Sequence, residues 1–183
     1  MKNKKGVIIL NNKYDQKTCI IDIETTDCNP WQGRIITIGA MDVDSKEIKV
    51  FHDENEEVLL MKFLQHFNAN QYRQVIGYNL AYDKRYILGK CMKHRLPANA
   101  FYRATSTDLM MILKGFERSY NFNRPGTLNE WAQFLLGKGK LHFDVPVPIL
   151  YQQERIQDII DYNKNDLELT YEIWKRLNFI LEA

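Results

Sequence analysis

The chain has 183 residues, of which 45% are hydrophobic and 26% charged, with 9 glycines and 5 prolines. These proportions are those of an ordinary folded protein, and they exclude collagen-like and disordered chains. The formal net charge of +2 at pH 7 gives no sign of a strongly basic or strongly acidic binding surface.

The sequence after residue 17 has the pattern of β-strands joined by turns. Three segments rich in Ile, Val and Thr predict strands at Thr18 to Ile23, Arg34 to Met41 and Glu47 to His52. The link between the second and third segments, Asp42 to Lys46, is short and polar, as in a hairpin. We therefore expect an antiparallel meander that follows an N-terminal extension of residues 1–17.

Helical periodicity replaces the strand pattern in the middle of the chain. Apolar residues recur at intervals of three and four between Glu56 and Phe67, which predicts an amphipathic helix. The sequence then predicts a short strand and two helices, at Gln74 to Tyr78, Leu80 to Lys93 and Thr107 to Lys114. Strands followed mostly by helices favour a layered α/β or α+β domain.

The C-terminal third is predicted to be helical, with one loop. Thr127 and Glu130 form a capping-box pattern at the start of a helix that ends at the next glycine. Pro146 to Pro148 marks a loop. A broad apolar stripe predicts a helix from Glu154 to Leu181, with an interruption near Asn163 to Asn165.

Signals for secretion, membrane insertion and disulfide bonding are missing from the sequence. The longest aliphatic run, Leu109 to Leu113, is far short of the roughly 20 residues that span a bilayer. The stretch Val7 to Leu10 is too short for a signal peptide. The three cysteines have no CxxC spacing, which predicts free thiols. We expect a cytoplasmic protein without a membrane partner, folded as a single domain over residues 18–183.

Two carboxylates share one face of the first predicted strand. Strand periodicity places Ile20, Asp22 and Glu24 on one face and Cys19, Ile21 and Ile23 on the other. If this strand is central in the sheet, unpaired charges there are costly, and a bound cation is the simplest remedy. If the strand lies at an edge, the same face is simply solvated. The segment alone leaves both interpretations open.

Two later segments carry further acids. Tyr162 and Asp166 lie four residues apart on a predicted helix, so the phenol and the carboxylate are neighbours on one face. Asp83 lies near the first turn of another predicted helix. Each has an ordinary interpretation, as a chance pair on an amphipathic helix and as an acid that interacts with a helix dipole. Taken singly, neither identifies a site.

Together, these segments resemble the three motifs of the DEDDy branch of the DEDD superfamily of 3′-5′ exonucleases, DnaQ-like enzymes with an RNase H-like fold. The matching stretches are Asp22-Ile-Glu24-Thr25, Asn79-Leu-Ala-Tyr-Asp83 and Tyr162-x-x-x-Asp166. The sequence from Gly77 to Ile87 is especially similar to the proofreading exonuclease domain of family B DNA polymerases, although Tyr82 stands where that family usually has Phe.

The resemblance implies an α/β, RNase H-like fold with a mixed five-stranded sheet and helices on both faces. It implies a metal-dependent 3′-5′ exonuclease that releases nucleoside 5′-monophosphates from single-stranded nucleic acid, with DNA favoured over RNA. The expected cofactors are two divalent cations, Mg²⁺ or Mn²⁺, because oxygen-only ligands suit these ions better than zinc. The expected partner is the 3′ end of a single strand, and a polymerase or repair partner is left open.

The same resemblance implies a role for each motif residue. Asp22 would bridge the two ions, Glu24 and Asp166 would hold the ion that activates water, and Asp83 would support the second ion through water. Tyr162 would orient the attacking water, because a phenol with an ordinary pKa of about 10 is a poor base at neutral pH.

Substrate contacts are implied for five more positions. Thr25 and Asn79 resemble residues that touch the terminal nucleotide. Thr127 and Leu128 resemble the Thr/Ser-Leu motif that binds single-stranded DNA in family B exonuclease domains, and Lys140 resembles their catalytic-site lysine. Thr127 also has an ordinary interpretation as a helix cap.

Other aromatic and basic residues are weaker candidates for nucleic-acid contacts. The stretch Arg118 to Arg124 has aromatic residues, Tyr120 and Phe122, between basic ends and predicts an exposed nucleic-acid loop. Tyr102 and Trp131 can stack on bases, although packing in the core is the commoner fate of aromatic residues. The four histidines are expected to be ordinary polar residues: His52, His66, His94 and His142.

Two other functions fit the same residues. An RNase H-like endonuclease would use a similar sheet and acid cluster, and it would differ in cutting internal bonds. A non-catalytic nucleic-acid-binding module would keep the fold, but the presence of all four acids and the tyrosine disfavours it.

Overall fold

Five strands form one mixed sheet in the computed structural model, which describes residues 16–116 and 126–182. The strands are β1 (Thr18–Thr25), β2 (Ile35–Asp42), β3 (Ile48–His52), β4 (Gln74–Gly77) and β5 (Thr105–Asp108), in the spatial order β3-β2-β1-β4-β5. β1, β2 and β3 pair antiparallel, as the predicted meander requires, and β4 and β5 extend the sheet parallel to β1. The predicted mixed five-stranded sheet is confirmed, and β1 is central.

Helices cover both faces of this sheet. In the described residues they are α1 (Glu56–Ala69), α2 (Leu80–Lys93), α3 (Asn99–Arg103), α4 (Leu109–Leu113), α5 (Leu128–Leu136), α6 (Val147–Gln152) and α7 (Ile156–Glu182), with a 3₁₀ turn at Lys114–Phe116. Residues of α1, α2 and α3 pack on Cys19, Ile21 and Ile23 of β1. Residues of α4, α5 and α7 pack on the opposite face, against Ile20. The alternation along β1 therefore sends apolar side chains into two cores.

The segment around residue 107 corrects one prediction. Thr107 is in a strand rather than a helix, because β5 runs to Asp108 and pairs with β4. β5 is a short edge strand with the polar sequence Thr-Ser-Thr-Asp, so it lacks the apolar alternation that identifies strands. The following helix starts at Leu109, where the Asp108 carboxylate accepts the Met110 backbone N–H.

The C-terminal third corrects two more predictions. Pro148 lies in the first turn of α6, where a proline costs no backbone hydrogen bond, and not in a loop. α7 runs without interruption through Asn163 and Asn165. It starts at Ile156 and not at Glu154, because Glu154 has a left-handed φ of 58° that no helical residue adopts. The short helix α3 was not predicted.

Two further predictions concern thiols and membrane spans. Cys19, Cys28 and Cys91 are all free, as predicted. Among the helices of the described residues, none is long and apolar enough to cross a membrane.

α7 approaches the sheet most closely over Gly39 of β2. A Cβ atom at this position would lie 2.1 Å from Asn163 Oδ1 and 2.7 Å from Leu167 Cδ1. Both of these α7 side chains are fully buried. Gly39 pairs with Asp22 in the adjacent strand, so the missing side chain lets α7 lie directly over the carboxylates of β1.

We expect Gly39→Ala to lower the free energy of unfolding by about 1–3 kcal/mol, because the added methyl group forces α7 away from a fully packed surface. Urea denaturation measures this change. The control is Gly89→Ala in the interior of α2, where the nearest atom to an added Cβ lies 3.8 Å away. That variant should gain up to about 1 kcal/mol from helix propensity. Equal stability of Gly39→Ala and the unmodified protein would contradict the close-packing interpretation.

Candidate active site

The centre of the sheet carries two acids on its α7 face. Asp22 and Glu24 alternate with buried isoleucines in β1, which has β2 on one side and β4 on the other. A β-bulge where β1 pairs with β2, between Glu24 and Thr25, shifts the register beside these acids. The central position resolves the question that the sequence left open, since the acids do not belong to a solvated edge strand.

α7 brings a third carboxylate to the same point. Asp166 is 2% exposed, and oxygen atoms of Asp22, Glu24 and Asp166 all lie within 4.8 Å of one another. Asn163, one turn earlier on α7, donates its amide N–H to Asp22 Oδ2 at 2.7 Å. Two acids of β1 and one that is more than a hundred residues later in the sequence therefore form one cluster.

Asp83 lies beside this cluster but is not one of the three closest carboxylates. It is buried near the start of α2, and its Oδ1 accepts the Ile23 backbone N–H at 3.2 Å. This hydrogen bond fixes Asp83 against β1 between Asp22 and Glu24. The start of α2 is itself held by Asp108, whose carboxylate accepts the backbone N–H groups of Asn79 and Ala81.

Burial raises the pKa values of all four carboxylates, and repulsion from neighbouring carboxylates raises those of Asp22, Glu24 and Asp83 further. Burial is the largest cause for each acid, and it raises the pKa of Asp22 well above its usual range, with repulsion from Asp166 next. Burial together with the Asp166 charge raises the pKa of Glu24 to about 8. Burial also raises the pKa of Asp83 to about 8. The cluster therefore holds more negative charge than its surroundings stabilise.

Lys140 is the cation next to these acids. Its Nζ lies 2.5 Å from Asp166 Oδ2 and 4.5 Å from the centre of the Tyr162 ring. Burial disfavours the charged ammonium, but the Asp166 carboxylate outweighs that effect and raises the pKa of Lys140. The segment with Lys140 is anchored at both sides, since Asn129 of α5 accepts the Lys140 backbone N–H and Asn165 of α7 accepts that of Leu141.

The residues present fit a divalent cation. Asp166 Oδ1 is fully buried and, among the described residues, has no hydrogen-bond partner. Carboxylate oxygens are the ligands that Mg²⁺ and Mn²⁺ prefer. One lysine does not offset four acids, and a divalent ion at Asp22, Glu24 and Asp166 would neutralise two more of their charges.

Two of the predicted substrate residues lie at the rim of the cluster. Thr25 follows the bulge, and its hydroxyl lies 3.0 Å from the Tyr82 phenol oxygen. Asn79 caps α2 with a left-handed φ of 62°, and its side chain makes no capping hydrogen bond. Asn79 is therefore the N-cap of α2 by its backbone position, while its exposed side-chain amide makes no hydrogen bond to the helix.

The other predicted pair, Thr127 and Leu128, has structural contacts. The Thr127 hydroxyl accepts the Glu130 backbone N–H and the Glu130 carboxylate accepts the Thr127 backbone N–H, so the predicted capping box is present. Leu128 is buried in the core against α7. Their binding of a strand stays a prediction.

Other candidates lie away from the cluster or outside the described residues. Trp131 packs partly buried against the α5 and α7 core, and Tyr102 is exposed on α3. The predicted loop from Arg118 to Arg124 lies outside the described residues. Three histidines bond to ordinary partners: His52 to the Ile36 carbonyl, His66 to Asn70 and His94 to Glu56. His142 is exposed.

Sequence reasoning missed Asn163 and Asp108. Asn163 was interpreted only as part of an interrupted helix, and its place one residue after Tyr162, within the third motif, was the signal that it faces the site. The sequence predicts Asp108 within a helix, whereas it ends β5, from which its carboxylate reaches the start of α2.

Comparisons with known proteins agree with this fold. The family model RNase_H_2, of the RNase_H superfamily, matches residues 19–143. An uncharacterized protein of Methanocaldococcus jannaschii is 31% identical over 175 residues, which is 86% of this chain and 93% of that protein. The family B DNA polymerase of the archaeon Pyrobaculum calidifontis has a similar structure, with a TM-score of 0.75 and 14% identity over 88% of this chain. This chain spans 24% of that polymerase, and the likeness concerns the fold alone. On its sequence match and its sheet, the chain belongs to the RNase H superfamily.

Proposed function

We propose that this protein is a metal-dependent 3′-5′ exonuclease of the DEDDy type. It hydrolyses the terminal phosphodiester bond of single-stranded nucleic acid, DNA in preference to RNA, and releases nucleoside 5′-monophosphates. The observation that carries the proposal is the cluster of Asp22, Glu24 and Asp166 within 4.8 Å, with Tyr162 one turn before Asp166 on α7. A tyrosine at this position is the feature that the sequence shares with the DEDDy branch.

The four acids would hold the metal ions. Asp22, Glu24 and Asp166 would hold one ion, and Asp22 with Asp83 would support a second one. When bound, two divalent ions supply a nucleophile at neutral pH and neutralise the charge that develops on the leaving oxygen. The protein's part is to fix the carboxylates in position, and bound cations would favour their ionised form.

Tyr162 and Lys140 act on the water and the phosphate. Burial raises the pKa of the Tyr162 phenol, so this group keeps its proton at neutral pH and orients a water molecule by hydrogen bonding. Lys140 lies beside both Tyr162 and Asp166, where its positive charge can also attract a phosphate oxygen. Tyr162 is therefore a positioning group for the nucleophile and not the base.

We expect the protein to shorten a 5′-labelled single-stranded oligonucleotide from its 3′ end in the presence of Mg²⁺ or Mn²⁺ and to lose this activity with a chelator. Asp22→Asn and Asp166→Asn should each reduce the rate more than about 100-fold. Loss of a residue that only hydrogen-bonds to a metal ligand typically lowers activity about 10- to 100-fold, and loss of a ligand itself should cost more. Gel electrophoresis of matched DNA and RNA strands measures the rate and the preference.

The matched control is Glu168→Gln, since Glu168 is an exposed acid on α7 two residues beyond Asp166. Its rate should equal that of the unmodified protein. A circular single strand should stay intact. Cleavage of the circle would assign the protein to the endonucleases, and full activity of Asp22→Asn would remove the acid cluster from the mechanism.

For Tyr162→Phe we expect kcat to fall about 10- to 1,000-fold, with KM little changed, because the ring keeps its packing while the hydroxyl that orients water is lost. Steady-state hydrolysis of thymidine 5′-(p-nitrophenyl phosphate) gives both constants. A kcat equal to that of the unmodified protein would refute the positioning role.

Asn163→Ala should weaken Mn²⁺ binding about 10- to 100-fold, because the amide that fixes Asp22 Oδ2 is lost. Calorimetric titration with Mn²⁺ in the absence of substrate measures this effect. Thr170→Ala is the control, since Thr170 is equally buried on α7 but lies one turn beyond Asp166. If both variants bind Mn²⁺ like the unmodified protein, Asn163 has only a packing role.

A further inference from the structure

The loop between β1 and β2, residues 26–34, presents a tryptophan to solvent. Trp31 is 79% exposed, among the highest values of any large apolar side chain in the described residues. Tryptophan has a large apolar surface, and burial of that surface would stabilise the protein. An exposed tryptophan at a loop tip forgoes this stabilisation. The loop starts directly after the last site residue of β1, so its position relative to the acid cluster is fixed by the strand.

Hydrogen bonds hold this loop in one conformation. The Asn29 carbonyl accepts the backbone N–H groups of Gln32 and Gly33, and Thr26 and Arg34 bond to each other across the base of the loop. The Thr25 hydroxyl donates to the Asp27 carbonyl at 3.0 Å. The loop is therefore closed on itself and tied to the rim of the site.

α2 fixes the same loop from below. The buried Tyr86 phenol donates to the Asp27 carbonyl at 3.1 Å, and the buried Lys90 ammonium donates to the Gly33 carbonyl at 2.5 Å. Lys90 also pairs with buried Glu56 at 3.1 Å, which connects the loop to α1. Movement of the loop away from α2 would remove a hydrogen bond from the buried Lys90 ammonium. Loss of a partner is costly for a buried charge, so this network holds the loop in place.

The loop that carries Trp31 packs on α2, the helix that carries Asp83. Pro30, the neighbour of Trp31 in the loop, lies over Gly89 of α2, with 3.8 Å between Pro30 Cβ and a Cβ placed on that glycine. Gly89 is six residues beyond Asp83, which corresponds to about 9 Å along the helix. A strand with its end at the carboxylates reaches that far within a few nucleotides.

We propose that Trp31 stacks on a base of the single strand that enters the site. The proposal rests on the proposed function and adds a subsite to it. A base has an apolar face whatever its identity, so an aromatic side chain binds strands of any sequence. A side chain on a rigid loop loses little conformational freedom on binding, which strengthens the contact.

The surroundings of Trp31 favour a base over a protein surface. The exposed neighbours Asp27, Cys28 and Gln32 are polar or small, so the loop tip presents one aromatic ring and not a wide apolar patch. Protein docking sites are typically contiguous apolar areas of several hundred Å². A single ring fits a single base.

The test is binding of fluorescein-labelled oligothymidylate in a chelator, where the strand stays uncut, measured by fluorescence anisotropy. We expect Trp31→Ala to raise Kd about 5- to 100-fold and Trp31→Phe to restore most of the affinity. An oligomer of abasic nucleotides should bind Trp31→Ala and the unmodified protein equally, because it has phosphates but no bases. Hydrolysis of thymidine 5′-(p-nitrophenyl phosphate), which does not reach the loop, should be unchanged in Trp31→Ala.

Phe134→Ala is the matched control. Phe134 is 78% exposed on α5 and lies in a separate apolar group with Phe179 and Ile180 near the end of α7. Its Kd for oligothymidylate should equal that of the unmodified protein. An unchanged Kd for Trp31→Ala, or an equal loss on the abasic strand, would overturn the stacking proposal. Failure of the proposed function would instead appear as absence of hydrolysis by the unmodified protein.

Discussion

Repulsion among buried carboxylates is the constraint on which the rest of the site depends. Asp22, Glu24, Asp83 and Asp166 come from a central strand and two helices on opposite faces of the sheet, and each is disfavoured in its charged form by burial. Such an arrangement lowers stability, and proteins retain it where function requires it. Lys140 and the amide of Asn163 offset part of this repulsion, and a divalent cation at the cluster would offset more of it.

The sheet makes this crowding possible by its order of strands. β1 lies between an antiparallel and a parallel neighbour, and the parallel strands β4 and β5 end at the edge where α2 and α4 begin. Asp108, at the end of β5, binds backbone N–H groups at the start of α2 and so fixes the helix that carries Asp83. The four acids are therefore held by a central strand and two helices, whose relative positions are fixed by packing on the sheet.

The sequence predicted the parts of this structure whose signals are local. The alternation in β1, the periodicity of α1 and the capping box of α5 each need fewer than 15 residues to recognise, and all three are present. The sequence does not predict β5, because an edge strand held by one neighbour needs no apolar alternation. It does not predict α6, because a proline is compatible with the first turn of a helix as well as with a loop. The acids were found through their motifs. Their mutual distance, and the contacts of Asn163 and Lys140, depend on how α7 crosses the sheet, which no local pattern contains.

The uninterrupted course of α7 has a consequence for changes in chain length. Tyr162, Asn163 and Asp166 lie within two turns of one helix, so they move as a unit with respect to β1. Each residue of an α-helix turns the chain by about 100°. A one-residue insertion or deletion between Ile156 and Tyr162 would rotate all three side chains away from Asp22 together, unless the helix slid along the sheet by a compensating amount. Gly39 opposes that movement, because its bare backbone accommodates only the side chains that now lie over it. Divergent descendants of this sequence should therefore accumulate insertions in the connection between α6 and α7, while the spacing from Ile156 to Asp166 stays constant.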